Sequence, residues 1–550
     1  MESTLHDEPA VATMPGMMMD IPLTITGILE HALRNHPRRQ IVSRDGAGLV
    51  RYTYADFGRR VAQLAHALRR LGVEGGERVA SFGWNTHRHL ELYYGVPCLG
   101  AILHTVNIRL FPEQVAEIIE HAGDRLVFVD GNLVPAVRKA IEVRPSLAAL
   151  SYVIMGEANQ TLPNAHDYED LLAREPASYA YPVLPENAAA VLCYTSATTG
   201  EPKGVLFSHR SQVLHALATG LADGLGISQR DTVLPIVPQF HVNAWGLPYS
   251  SLMVGAKVVM PGPNLDPVSL CALIQGEGVT VSAGVPTVWL AARDYLKGTG
   301  MVLPTLKKVV IGGSAVPPKL FDDLEELGIG VCHAWGMTEM SPIGTVSLIK
   351  GELDDLPSEA RRRIRLKQGA FSPIVQWKVL DEDRREIAQD GRARGELYVR
   401  GPAVAAGYFN NAAATQAAFF DGWFKTGDIV TVDEHGYMEI VDRSKDMIKS
   451  GGEWISSVEL ENTLMEHSDV KEACVFGLPH DRWIERPAAA VVLRDGAQVD
   501  ENTLREWLAS RAAKWWLPDR ILFVDTIPRT GVGKFLKREL RERFADLLRA

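Results

Sequence analysis

Cysteine is scarce. The 550 residues include five (Cys98, Cys193, Cys271, Cys332 and Cys474), and no two are spaced as CxxC. This excludes a disulfide framework and a redox or zinc motif; each sits in an apolar segment, so buried thiols in a reducing compartment are expected. Positive charge is also in deficit: 57 Lys and Arg against 67 Asp and Glu leave a net charge of −10. That balance argues against a nucleic-acid binder. No stretch reaches the ~18 uninterrupted apolar residues of a membrane span. The nearest, VLPIVPQFHVNAWGLPYSSLMVGAKVVM, is broken by prolines, Gln239, His241, Asn243 and Lys257. The start, MESTLHDEPAVATMPGMMMD, has no basic segment leading an apolar core and no arginine. Neither a secretory signal nor a mitochondrial presequence is expected, and the reading is cytoplasmic. GxGxxG and GxxxxGK[ST] are absent, which disfavours a dinucleotide-dependent oxidoreductase and a Walker-type nucleotide loop. Internal repeats and low-complexity segments are missing too.

What is present suits a globular protein with a large core: 46% of residues are hydrophobic and 23% charged. Residues 1–20 read as a loose arm. YADFGRRVAQLAHALRRLGV then carries Phe57, Val61, Leu64, Leu68 and Leu71 at helical spacing, and RVASFGW follows as a strand. PEQVAEIIEHAG opens on Pro112 and closes on Gly123, the asymmetry of a helix, with LVFVD next as a buried strand. This alternation predicts an α/β fold: a large N-terminal domain, 21–443, of helix-covered mixed sheets. From about 375 the texture becomes short strands and tight turns (QWKVLDED, GELYVRG, GYMEIVDR), a β-rich subdomain running to 443. After Arg443 the pattern resets. Strands at VKEACVFGL, AAAVVLR and RILFVDTI, with helices near 456–466, 501–513 and 536–548, predict a small α+β C-terminal domain over 444–550.

Several segments carry chemistry. YTSATTGEPKG follows a buried strand and offers hydroxyls, backbone N–H groups and Lys203 to phosphate oxygens. HAWGMTE supplies a threonine and a glutamate, and a carboxylate beside phosphate ligands is a natural Mg²⁺ site. DGWFKTGDIV places Asp428 in a turn, where it can accept from ribose hydroxyls. MIKSGGEWIS and PRTGVGKFLKREL each set a lysine beside glycines. Taken singly, each reads as a solvated turn.

Together they do not. YTSATTGEPKG, GGSAVPP, HAWGMTE, WFKTGD, DRSKDMIKSGGEWIS and PRTGVGKFLK occur in the order and approximate spacing of the adenylate-forming superfamily. Over nearly its whole length the chain resembles the acyl-CoA synthetases of that superfamily. FHVNAWGLPYSSLMVGAKVVMPGP is most similar to the medium- and long-chain fatty-acid CoA ligases. The resemblance implies two half-reactions. A carboxylate and ATP give acyl-AMP and pyrophosphate; coenzyme A then displaces AMP as the thioester.

It also implies roles, residue by residue. Thr195, Ser196, Ala197, Thr198, Thr199, Gly200 and Lys203 would form the phosphate loop. Gly313, Ser314 and Ala315, with Ala334, Trp335 and Gly336, would flank the adenine. Thr338 would bind the α-phosphate, Glu339 with Thr195 would hold Mg²⁺, and Asp428 and Arg443 would contact the ribose. Lys534 would bridge the attacking carboxylate and the phosphate as a fixed cation. Lys445 falls at the hinge about which the C-terminal domain rotates between half-reactions. That rotation would withdraw Lys534 and bring in Lys449, Gly451 and Gly452 to line the pantetheine tunnel, where glycine lets backbone approach closely. His241, Val242 and Trp245 would line and gate the acyl pocket, with His241 positioning the acyl or thiol group; no acidic residue here would pair an amino-acid ammonium. A homodimer through the N-terminal domain is a further expectation from the resemblance.

One departure stands out. Most members of the family have glycine at position 197, and alanine there costs about 1 kcal/mol if the loop needs φ > 0. Two other readings compete: a CoA ligase for a short-chain or thioether acid of the methylmercaptopropionate type, and a catalytically lapsed nucleotide- or acyl-binding protein.

Overall fold

The computed structural model describes residues 14–46, 48–195, 203–450, 453–480, 482–530 and 535–548. Two sheets form the body. The first has seven strands: Arg78–Phe82, Ile102–Thr105, Asp124–Asp130, Ser151–Met155, Ala165–Asp167 and Ala189–Tyr194 run parallel, and Gly204–Ser208 is antiparallel at one edge. The second has nine. Its parallel centre is Gln40–Asp45, Lys257–Met260, Thr232–Pro235, Val281–Gly284, Lys308–Ile311 and Gly330–Gly336, with antiparallel strands at both edges. A five-stranded antiparallel sheet, Gln376–Leu380 through Met438–Arg443, follows. The chain then enters a separate five-strand sheet that begins at Ile448–Ser450. A large domain of mixed sheets and a smaller β-rich C-terminal domain are thus present, as the α/β reading expects.

Local chemistry explains the helices. Tyr54–Arg70 starts with a reciprocal cap, Asp56 N–H donating to Thr53 Oγ1 at 3.2 Å and Thr53 N–H to Asp56 Oδ2 at 2.8 Å. Its apolar stripe (Phe57, Val61, Leu64, Leu68) is fully buried, packed chiefly against the helix His87–Cys98, where Phe57 meets Tyr94 and Leu64 meets Gly95. Pro112–Ala122 stops at Gly123, whose φ of 63° closes the last turn. Two C-terminal helices end earlier than their periodicity predicts. Glu501–Ala509 gives way to a short turn that buries Trp516, and Lys537–Arg543 ends where Phe544 leaves the helix to stack 6.2 Å from Phe476. In both places burial of an aromatic ring outweighs continuation of the helix. All five cysteines are buried and unpaired. Among the described residues no helix is long and apolar enough to cross a membrane.

Candidate active site

Parallel strands end together, so the loops that follow them face one crevice. A cleft of about 700 Å³ opens there, closed on its far side by the five-stranded sheet. Thr195 reaches it from the strand Ala189–Tyr194, and Gly313 and Ser314 from Lys308–Ile311. Thr338 and Glu339 come from Gly330–Gly336, as do Ala334, Trp335 and Gly336 themselves. His241, Val242 and Trp245 follow Thr232–Pro235. Lys203 and Arg443 complete the polar end.

Asp428 is not in a turn. It lies inside the strand Trp423–Val432 and is 1% exposed. The turn-like sequence TGD is accommodated because Gly427 takes φ 72°, a kink within the strand rather than its end. Trp335 Nε1 donates to Asp428 Oδ2 at 2.9 Å, and Arg443 Nε lies 3.1 Å from Oδ1. Oδ1 receives no well-angled hydrogen bond, so it retains acceptor capacity. Asp428 in turn holds the Arg443 guanidinium more firmly protonated than usual.

Glu339 is 6% exposed and accepts from the Tyr408 hydroxyl at 2.7 Å. The same ring lies 4.9 Å from Lys203 Nζ, so one side chain steadies both a carboxylate and a cation. Burial, then the charge of Glu339, pushes the Tyr408 phenol well up, and it remains a donor. Among the described residues no group of three or more His, Cys, Asp or Glu could hold a metal alone. One carboxylate, Glu339, with the Thr195 hydroxyl fits a Mg²⁺ ion that takes its remaining oxygens from phosphates and water.

The apolar end is built on unusual backbone. Val242, Asn243, Ala244 and Trp245 all have positive φ (38°, 46°, 48° and 56°), a left-handed turn that costs roughly 1–2 kcal/mol per residue. Packing holds it: Trp245 is 8% exposed, and its ring fits over Gly312, where a Cβ would come 3.3 Å from the indole and 2.4 Å from the Ala334 carbonyl oxygen. Behind the turn, His215 is buried, accepts from Ile343 N–H at 3.0 Å, and is pushed down to about 3 by burial. Val285, Pro286 and Val288 form the opposite wall.

Several expected site residues do not line the cleft. Ala315, Lys445 and Lys449 lie outside its wall, and Asp428 stands behind Trp335. Ser196, Ala197, Thr198, Thr199, Gly200, Gly451, Gly452 and Lys534 fall outside the described residues. Conversely, Tyr408, Arg109, Gly312 and the 285–288 wall line or shape the cleft without having been singled out in the sequence. Tyr408 sits in AAGYFNN, where turn residues are the only local signal. No periodicity marks the other positions.

Known proteins resemble the chain over most of its length. Residues 29–409 match the AMP-binding enzyme family, and residues 459–534 match the AMP-binding enzyme C-terminal domain. The chain is 48% identical over 536 residues to a long-chain-fatty-acid–CoA ligase of Thermus thermophilus, covering 97% of each. It is 43% identical over 542 residues to a 3-methylmercaptopropionyl-CoA ligase of Ruegeria lacuscaerulensis, covering 97% of this chain and 100% of that one. A medium-chain-fatty-acid–CoA ligase of Ectopseudomonas oleovorans is 42% identical over 541 residues, covering 97% and 98%. Among solved structures, an anthranilate CoA ligase in complex with anthranoyl-AMP superposes with a TM-score of 0.85 at 25% identity, over 96% of this chain and 98% of that one.

Proposed function

Since this chain belongs to the AMP-binding enzyme family, we propose that it is an AMP-forming fatty acid–CoA ligase working in two half-reactions. One observation carries the reading: a single cleft joins a phosphate-type end (Thr195, Lys203, Thr338, Glu339, Arg443) to an apolar end (Ile236, Val242, Trp245, Val285, Val288). Among the described residues the carboxylates on its wall are Glu339 and Glu396, and the segment FHVNAWG at its apolar end contains no acidic residue to pair an ammonium. A neutral acyl group is therefore favoured.

The chemistry asks little of proton transfer. A fatty carboxylate is ionised at neutral pH, so the obstacle to attack on the α-phosphate is charge repulsion. Lys203 and Thr338 hold the phosphates, and Asp428 with Arg443 orients the ribose. When bound, Mg²⁺ held by Glu339 and Thr195 neutralises phosphate charge. Trp245 and the 285–288 wall bury the chain and exclude water. Lys534 supplies the last cation, and Lys449, Gly451 and Gly452 admit the thiol after rotation at Lys445. The five buried, unpaired thiols support a cytoplasmic protein, and a homodimer through the N-terminal domain follows from the resemblance.

The test is ATP–pyrophosphate exchange across saturated fatty acids of increasing length, with a short thioether acid included. Exchange is expected with medium and long chains; preference for the thioether acid would favour the second reading, which the 43% identical Ruegeria relative supports. No exchange with any acid would end the proposal. Lys534→Ala is expected to abolish exchange yet still form thioester from supplied acyl-adenylate.

A further inference from the structure

A buried polar cluster lies where the five-stranded sheet meets the C-terminal domain. Asp442, the penultimate residue of the strand Met438–Arg443, is 1% exposed. Its Oδ2 accepts from Ser457 N–H and Ser457 Oγ–H, both at 2.6 Å, at the start of the nine-residue helix Ser457–Met465. Lys537 donates from Nζ to Ser457 Oγ and pairs with Glu461 Oε1 at 2.8 Å. Lys537 and Glu461 side chains are 10% and 9% exposed. Two of these contacts are backed from the flanks: Ser456 Oγ donates to the Val441 carbonyl at 2.6 Å, and Arg541 pairs with Asp446 at 3.0 Å.

The arrangement is asymmetric. Ser457, Glu461 and Lys537 follow the hinge position Lys445, whereas Asp442 precedes it. Along a strand successive side chains point to opposite faces. Arg443 therefore turns toward Asp428 and the cleft while its neighbour Asp442 turns toward the C-terminal domain. Rotation at Lys445 would pull this carboxylate from both the helix N-terminus and the ammonium, leaving Lys537 with Glu461 and Ser457 only. Burial by itself would discharge Lys537, but Glu461 and then Asp442 outweigh it and hold the amine charged. Lys449, expected to serve the thiol, is off the cleft wall in this orientation.

We propose that Asp442, Ser457 and Lys537 form a latch across the hinge and act as positioning residues for adenylation, holding the C-terminal domain in the orientation that half-reaction uses. This rests on the two-step ligase reading. Lys537 lies three positions after Lys534, so the latch anchors the segment that carries that lysine. Because Asp442 adjoins Arg443, it also ties the domain's orientation to the ribose-binding strand.

The experiment measures the half-reactions separately in Asp442→Ala, Asp442→Asn, Lys537→Met and Lys537→Arg, using a saturated acid that the wild type turns over. Pyrophosphate release in a single turnover reports adenylation; thioester from supplied acyl-AMP and CoA reports the second step. Asp442→Ala and Lys537→Met should slow adenylation about 10- to 100-fold, the scale of a misplaced catalytic group. Thioester formation and the KM for ATP should stay within about twofold, and Lys537→Arg should restore most of the adenylation rate. Lys537→Met leaves Glu461 buried without its partner; if it does not fold, the Asp442 variants decide. Equal losses in both steps, or folded Asp442 variants with normal adenylation, overturn the latch while the ligase reading stands. A wild type that releases no pyrophosphate with any acid overturns both.

Discussion

Replacing Tyr408 by phenylalanine isolates one bond at the centre of the site. The ring and its contact with Lys203 remain, and only the hydroxyl donated to Glu339 at 2.7 Å is lost. Hydrogen bonds to charged groups contribute about 1.5–3 kcal/mol. Tyr408 is itself only half-buried, so water can replace part of the bond and the lower end of that range applies. About 1.5 kcal/mol corresponds to roughly tenfold in rate or affinity. If Glu339 holds Mg²⁺, the loss should appear as a roughly tenfold fall in kcat/KM for pyrophosphate release, eased by excess Mg²⁺, because the carboxylate is less well aimed rather than missing. Tyr408→Leu also removes the cation–π contact and should lose a further ~0.5–1 kcal/mol. Mg²⁺ titration of initial pyrophosphate release in the three proteins is the assay. A phenylalanine variant with wild-type kinetics at limiting Mg²⁺ would refute the view that Tyr408 steadies Glu339.

Asp428→Asn removes the charge opposing Arg443, whose own side chain is 41% exposed. About 1–2 kcal/mol is expected, seen as a 5- to 30-fold higher KM for ATP with little change in melting temperature; an unchanged KM would count against the ribose role. Gly312→Ala drives a Cβ to 2.4 Å from the Ala334 carbonyl oxygen and should cost about 1–3 kcal/mol in stability as well as nucleotide affinity. A melting curve matching the wild type would show that the neighbouring strand ends can separate freely. Acid should destabilise the fold. Burial pushes His87, His89, His209 and His333 down to about 4 and His215 to about 3. Between pH ~6.5 and those values the unfolded chain binds protons that the native state refuses, so stability falls with pH by up to about 1.4 kcal/mol per pH unit for each. Asp130, raised to about 7 by burial, acts in the opposite sense, as do Asp124, Asp442, Glu459 and Glu461, also raised by burial; Glu169 and Asp323, held down to about 2 by their cationic partners, add to the loss in acid. Urea midpoints that do not drop between pH 7 and 5 would contradict this.

Much of the molecule is legible along the chain. The caps at Thr53 and Gly123 and the apolar stripe of Tyr54–Arg70 are local patterns, and local geometry realises them. So too are the loops that meet at the cleft: a hydroxyl-rich run after a strand, or Thr338 and Glu339 after an apolar stretch, lies at a strand's carboxyl end wherever the strand is placed. Asp428 shows the limit. Its neighbours spell a turn, yet pairing with Arg443 across the sheet keeps it in a strand.

Partners far apart in the chain were decided only in three dimensions. Tyr408 meets Glu339 across 69 residues, and Lys537 meets Ser457 across 80. The left-handed turn at 242–245 has no glycine of its own to announce it; it stands because Trp245 must fit over Gly312. Periodicity and turn chemistry act over a few residues, so they specify which groups an element carries and which way it faces. Which carboxylate ends beside which cation depends on the packing of whole sheets, where burial makes an unpaired charge too costly to leave.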